Sequence, residues 1–125
     1  MQQRSITDEE IGNQLVYSTI HWSVLLPKKP ISAYHLIILA NRHEAIEFIS
    51  LDDSELLEMK SIVKLLVESF ESEGVLLNGY NLFSNNGTYE IGQHLNRFHQ
   101  HIFLRPQNEA ESPYRAMANN RYWFE

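Results

Sequence analysis

No cysteine occurs anywhere in the chain. That excludes a disulfide framework, a thiolate nucleophile and a zinc site of the cysteine type, and it suits a reducing, cytoplasmic setting. Glycine and proline are scarce, at 5 and 4 residues. The prolines, Pro27, Pro30, Pro106 and Pro113, stand at the edges of apolar runs, and no linker, low-complexity tract or repeat divides the sequence. One domain over residues 1–125 is therefore expected. Long apolar runs are missing too: Leu36 to Ala40 falls far short of the ~18 residues a spanning helix needs. The start, Met1-Gln2-Gln3-Arg4, leads into acidic residues rather than an apolar signal core. Cationic side chains are in deficit, 10 Lys and Arg against 16 Asp and Glu, for a net charge of −6. Neither nucleic acid nor a membrane is expected as a partner, although a small basic patch could still hold one anion.

What is present is a 43% apolar composition, ample for a core, in segments of contrasting period. Leu15 to Ile20 and Trp22 to Leu26 are rich in β-branched and aromatic residues and stop at Pro27-Lys28-Lys29-Pro30, so they read as two strands. His35 to Ala40 is a continuous apolar run with a polar start, as in a strand covered on both faces. Leu56, Met59, Val63, Leu66 and Phe70 alternate in spacings of three and four, which places them on one side of a helix. Asp52 with Glu55 has the form of a capping box, and Gly74 stands where a left-handed cap ends a helix. A second capping-box spacing, Thr7 to Glu10, predicts a short opening helix. Gly79 to Ser84 reads as a strand, Asn85-Asn86-Gly87 as a turn, and Phe98 to Arg105 as a strand ending at Pro106. Together these predict an α+β domain with a mainly antiparallel sheet and one long helix.

Three of the 6 histidines, His94, His99 and His101, fall within one short stretch. Alternation in a strand sends Arg97, His99, His101 and Phe103 to one face and Phe98, Gln100, Ile102 and Leu104 to the other, the second set being the core side. His99 and His101 then stand ~6.6 Å apart along the strand, with Arg97 the same distance further on. Three readings compete for that face. It could be a solvated polar surface. It could be a metal site, since His-x-His on a strand suits a transition metal, with His94, His35 or His43 as third ligand; the adjacent Arg97 counts against it. Or it could be a phosphate site with a histidine nucleophile, because neutral imidazole attacks phosphorus without first losing a proton. Arg97 and turn amides near Gly87 and Gly92 would then stabilise charge on the phosphoryl oxygens.

Three stretches in order along the chain resemble the histidine triad (HIT) superfamily of nucleotide hydrolases and transferases. They are Pro30 to His43 around His35-Leu-Ile-Ile-Leu-Ala40, then Tyr80 to Gly87, then Gly92-Gln93 running into Phe98-His99-Gln100-His101-Ile102-Phe103 and Arg105-Pro106. The resemblance implies a HIT-like α+β fold and hydrolysis or transfer of a nucleoside monophosphate group, from nucleoside phosphoramidates or dinucleoside polyphosphates, without a cofactor or metal. It implies that His99 is the nucleophile and that His101 contacts phosphate. Asn85 corresponds to an Asn or Gln that holds phosphate, and His35 to a histidine beside the same pocket. Gly92 and Gln93 would support the phosphate, and His94 stands next to them.

The sequence also departs from the family pattern. Arg97 occupies the first position of the triad, Tyr34 stands where a glycine is usual and Ala40 where a proline is usual. The acid that holds the ribose hydroxyls would lie eight residues before His35, where this chain has Pro27. A ribose site without that carboxylate is expected. HIT-like proteins commonly pair through the long helix and an adjacent strand, and Ile62 and Leu65 widen the apolar stripe beyond what one sheet face needs, so a homodimer is expected. The alternatives to an enzyme are a catalytically weak nucleotide- or phosphate-binding protein and a histidine-ligated metalloprotein.

Overall fold

In a computed structural model, residues 14–30, 32–87 and 97–107 are described. The chain order is β1 (Gln14–Ser18), β2 (Trp22–Leu26), β3 (His35–Ala40), a 3-10 turn (Phe48–Ser50), α1 (Asp53–Ser72), β4 (Leu77–Phe83) and β5 (His99–Pro106). The strands form one sheet in the order β1-β2-β3-β5-β4, with every pairing antiparallel. The last strand is thus inserted between β3 and β4. The sheet and the long helix bear out the α+β expectation; the opening helix expected from Thr7 to Glu10 lies outside the described residues.

The helix begins as its sequence dictates. The Asp52 carboxylate accepts from the Glu55 backbone N–H at 2.9 Å while Glu55 Oε1 accepts from the Asp52 N–H at 2.9 Å, a reciprocal capping box. At the other end Gly74 adopts φ +91°, its N–H reaches the Glu71 carbonyl, and the Val75 N–H reaches that of Phe70. These two bonds close the helix in a Schellman motif.

One face of the sheet carries Trp22, Val24, Leu36, Ile38, Ala40, Phe98, Ile102 and Leu104, which form a single buried cluster with Ile62 and Val63 of α1. Met59, Leu66, Val67 and Phe70 pack against it. Trp22 locks helix to sheet, donating from Nε1 to the Glu55 carbonyl at 2.9 Å and meeting Phe98 edge-on at 6.0 Å. The opposite face holds a smaller apolar cluster, Leu25, Ile37 and Leu39. By register Ile37 faces His101 and Leu39 faces His99, so this second cluster flanks the histidine row.

Boundaries differ from expectation where the chain bends. β1 stops at Ser18 because the next residues turn back, with the Thr19 N–H donating to the Trp22 carbonyl at 2.8 Å. β4 starts at Leu77 rather than at Gly79, because Gly79 sits inside the strand next to a bulge: Leu77 pairs with Pro106 and Gly79 with Arg105, so Asn78 is the extra residue.

Candidate active site

β5 sets the site by simple alternation. Phe98, Ile102 and Leu104 face the helix, and Arg97, His99, His101 and Phe103 fall to the other side. The solvated-face reading fails: Arg97 is 1% exposed, His99 2% and His101 8%. Gln100, the polar residue among the core-facing set, is also buried and donates from Nε2 to the His101 carbonyl at 3.4 Å.

His99 places its Nδ1 3.1 Å from the Arg97 carbonyl oxygen. A carbonyl only accepts, so Nδ1 carries the hydrogen and neutral His99 keeps its lone pair on Nε2. Arg97 thus acts on His99 through its main chain, while its guanidinium Nη1 donates to the Asn41 carbonyl at 3.2 Å. Asn41 is itself fixed from three sides: its Nδ2 donates to the Thr19 and Ile20 carbonyls at 3.1 and 3.2 Å, and its Oδ1 accepts from the Ser23 hydroxyl at 2.6 Å. The buried guanidinium is therefore tied to a braced loop.

His35, on β3, comes to the same row. Its Nε2 lies 2.8 Å from His101 Nδ1, and its ring stands 4.5 Å from that of Phe103. Burial pushes the His35 pKa down to about 3, so it is neutral at physiological pH. One of the two facing nitrogens donates and the other accepts. Where His35 donates, His101 presents its Nε2–H outward. The His99 and His101 rings meet edge-on at 5.1 Å, and Phe103 lies nearly parallel to His101 at 6.2 Å. The result is a row of imidazoles walled by aromatic and aliphatic groups.

Asn85 is buried two residues beyond Phe83, the β4 residue that pairs with His101. It therefore lies toward the end of the sheet where His99 opens β5. Next to it, Asn86 Oδ1 accepts from the Phe48 N–H at 2.7 Å and ties this segment to the 3-10 turn. Gly92, Gln93 and His94 lie outside the described residues. Among the described residues no three His, Asp or Glu side chains gather as a metal site: His43 is exposed, and His35 and His101 turn nitrogens toward each other. Sequence reasoning put Phe103 on the histidine face but overlooked Asn41 as part of the site. The signal for Asn41 was its place directly after the third strand, beside the His35 run.

The HIT domain family matches residues 8–108. The chain belongs to the HIT family. Its fold is similar to that of a Plasmodium falciparum diadenosine triphosphate hydrolase, with a TM-score of 0.64 and 16% identity over 95% of this chain and 76% of the other. It is similar as well to a histidine triad nucleotide-binding protein from Candida albicans (TM-score 0.63, 24% identity, 78% and 69% covered). A HIT family protein from Bacillus anthracis gives a TM-score of 0.65 at 22% identity, with 83% and 76% covered. No curated protein matches the sequence. For a HIT-family chain the five-stranded antiparallel sheet with one long helix is the expected architecture.

Proposed function

We propose that this HIT-family chain is a cytoplasmic nucleotide hydrolase or nucleotidyl transferase, formed by a single domain over residues 1–125 that works as a homodimer. Its substrate is a nucleoside phosphoramidate or a dinucleoside polyphosphate, and the reaction uses no cofactor. The observation that carries this reading is the 3.1 Å bond from His99 Nδ1 to the Arg97 carbonyl, which leaves Nε2 as a lone-pair nucleophile. In the first step Nε2 bonds to the α-phosphorus while the bond to the leaving group breaks, and the leaving group departs with a proton. In the second step water attacks the same phosphorus, the P–N bond breaks, and a nucleoside monophosphate is released with His99 restored. The P–N intermediate is labile once protonated, which suits an imidazole to the role.

The other side chains serve the phosphate. His101, held by the neutral His35, offers an N–H to a phosphoryl oxygen, and Asn85 offers an amide. The Arg97 guanidinium supplies a permanent positive charge nearby, where a histidine would supply a titrating one. Gly92, Gln93 and His94 complete the phosphate cradle in this proposal.

Changing His99 to Ala or Asn should lower hydrolysis of an adenosine phosphoramidate by about 10³-fold or more. A fall of less than tenfold in a folded variant removes His99 from the mechanism. The second reading, a binding protein with weak turnover, is favoured by the 2% exposure of His99 and by Pro27 at the ribose position. It predicts nucleotide binding by the wild-type chain with no product formed.

A further inference from the structure

The peptide that bonds to His99 is held from its other side as well. Its carbonyl, that of Arg97, lies 3.1 Å from His99 Nδ1, and its N–H, that of Phe98, donates to the Ala45 carbonyl at 2.7 Å. The peptide is trans and therefore planar, so these two groups point in opposite directions and turn together. The ladder bond from the Ala40 N–H, at 2.9 Å, goes to the Phe98 carbonyl, which belongs to the next peptide. Where the Ala45 carbonyl stands thus sets how the Arg97 carbonyl meets the imidazole.

Ala45 belongs to the connection from β3 to α1, and Arg42 closes that connection on itself. The Ala45 N–H donates to the Arg42 carbonyl at 3.1 Å. From the same residue the guanidinium spans the loop: Nη2 donates to the Ser50 carbonyl at 2.7 Å and to Glu55 Oε1 at 2.9 Å, while Nε donates to Glu55 Oε2 at 3.1 Å. Glu55 is a fixed anchor, since it is buried and its Oε1 also accepts the Asp52 N–H of the capping box. A planar fork that meets a carboxylate twice and a carbonyl once defines a single geometry for residues 42–50, which a point charge would not. Apolar packing restrains this loop weakly. Ala45 adds one methyl group to the core, and Ile46, Phe48 and Ile49 beyond it are exposed.

We propose that Arg42 is a positioning residue for the nucleophile: clasped to Glu55 and Ser50, it holds the Ala45 carbonyl on the Phe98 N–H and so keeps the hydrogen of neutral His99 on Nδ1. The inference rests on the hydrolase reading for its effect on turnover, and on the geometry alone for its effect on the imidazole. Without the clasp the Ala45 carbonyl moves and the Arg97–Phe98 plane turns with it. The Arg97 carbonyl then no longer selects between the two tautomers. The form with its hydrogen on Nε2 has no lone pair there to offer phosphorus. Arg42 acts through the loop rather than on the substrate, so substrate affinity should survive its loss.

The test reads the imidazole directly, from proton–nitrogen correlation spectra of the isotope-labelled full chain at neutral pH. Wild-type His99 should carry its hydrogen on Nδ1. Arg42→Gln should show both tautomers and lower kcat for an adenosine phosphoramidate by about tenfold or more, with KM within about twofold of wild type. Arg42→Lys leaves Glu55 a counter-charge and so protects the fold, yet one ammonium cannot serve all three acceptors. Its tautomer mixture and its kcat should fall between the other two. Val67→Ala removes packing further along α1 and should change neither reading, although it lowers stability. A tautomer that stays fixed in both Arg42 variants, or that Val67→Ala disturbs as much, would overturn the inference. So would wild-type His99 with its hydrogen on Nε2, or a tautomer that moves while kcat does not. If the tautomer responds as expected but the wild type turns over no nucleotide, the hydrolase reading falls and the positioning of His99 stands.

Discussion

His35 Nε2 and His101 Nδ1 stand 2.8 Å apart across the β3–β5 ladder, although 66 positions separate the two residues in sequence. They are not direct partners in the ladder: His35 pairs with Phe103, and Ile37 pairs with His101. The contact is therefore diagonal, and it depends on the His35 ring lying against Phe103. A second proton has no place between the two rings. Burial keeps His35 neutral, and neutrality lets it fix the tautomer of its neighbour.

That arrangement makes stability depend on pH. As pH falls below 6.5 the unfolded chain takes up a proton at His35, while the folded chain refuses it until about 3. The unfolded state thus binds more protons throughout this window, and stability falls as pH drops, by at most ~1.4 kcal/mol per unit. The carboxylates of Asp52, which accepts the Glu55 N–H, and Glu58 are held below their ordinary range and act mainly lower. For Glu58 burial pushes upward, but hydrogen bonds from Thr19 and His21 outweigh it. Urea midpoints between pH 6.5 and 4.5 should fall in the wild-type chain and fall less steeply in His35→Gln, which retains a nitrogen near the Nε2 position. Equal slopes would show that His35 does not titrate as its burial requires.

A second prediction concerns the ion pair at the head of α1. Glu55 is 0% exposed, and its two oxygens accept from Arg42 Nε at 3.1 Å and Nη2 at 2.9 Å. The Arg42 side chain is 38% exposed and also donates to the Ser50 carbonyl at 2.7 Å. The two halves are therefore unequal. Arg42→Ala strands a buried carboxylate and should cost about 3 kcal/mol, the low end for a broken buried pair. Glu55→Gln keeps much of the shape and leaves a cation that can turn to water, so about 1 to 2 kcal/mol is expected. Denaturant unfolding that ranks the two variants the other way would mean that Arg42 is the more deeply committed partner.

The part of this architecture legible in sequence is the local part. His35–Ala40 is the third strand to the residue, and the Asp52–Glu55 box and Gly74 bound the helix as read, since each signal acts within a turn or two of chain. Alternation also sorted β5 correctly into a helix-facing and a histidine-bearing side. It could not say whether the histidine side was covered, because that depends on which strand lies alongside. Only the β3–β5 register brings Ile37 and Leu39 against His101 and His99. The same limit hid the Arg42–Glu55 and Arg97–Asn41 contacts, which join segments whose order along the chain does not announce their proximity. Gly79 misled for a local reason: a glycine inside a bulged strand looks like a strand start.

Pairing of two chains is the next expectation open to measurement. The helical stripe expected at the interface is largely spent on the core, with Val63 buried and Met59, Leu66 and Phe70 packed against the sheet. Leu65 stays 42% exposed. On the edge strand β4, Tyr80 and Leu82 face the helix side of the sheet by register, yet remain 46% and 45% exposed. Apolar groups left open on an edge strand favour a partner. Sedimentation at micromolar concentration should give a dimer, and Leu82→Glu should weaken it by at least tenfold without lowering the helical content. A wild-type monomer would sink the homodimer.

The final prediction uses Pro27, half-buried directly after β2, where an acid would receive the ribose hydroxyls in the family pattern. A charge-assisted hydrogen bond worth ~1.5 to 3 kcal/mol is then absent, so a ribonucleotide substrate and its 2′-deoxy analogue should differ by less than about fivefold in kcat/KM. With a carboxylate in place, more than about tenfold would be expected. The polar side chain next along β2, Ser23, is poorly placed to substitute, because its hydroxyl hydrogen is already donated to Asn41 Oδ1 at 2.6 Å. Drawing it away would loosen the loop that supports Arg97. A strong preference for the ribonucleotide would therefore point to a group outside the described residues, such as Asn13, and Asn13→Ala should then abolish the preference while Ser23→Ala leaves it in place.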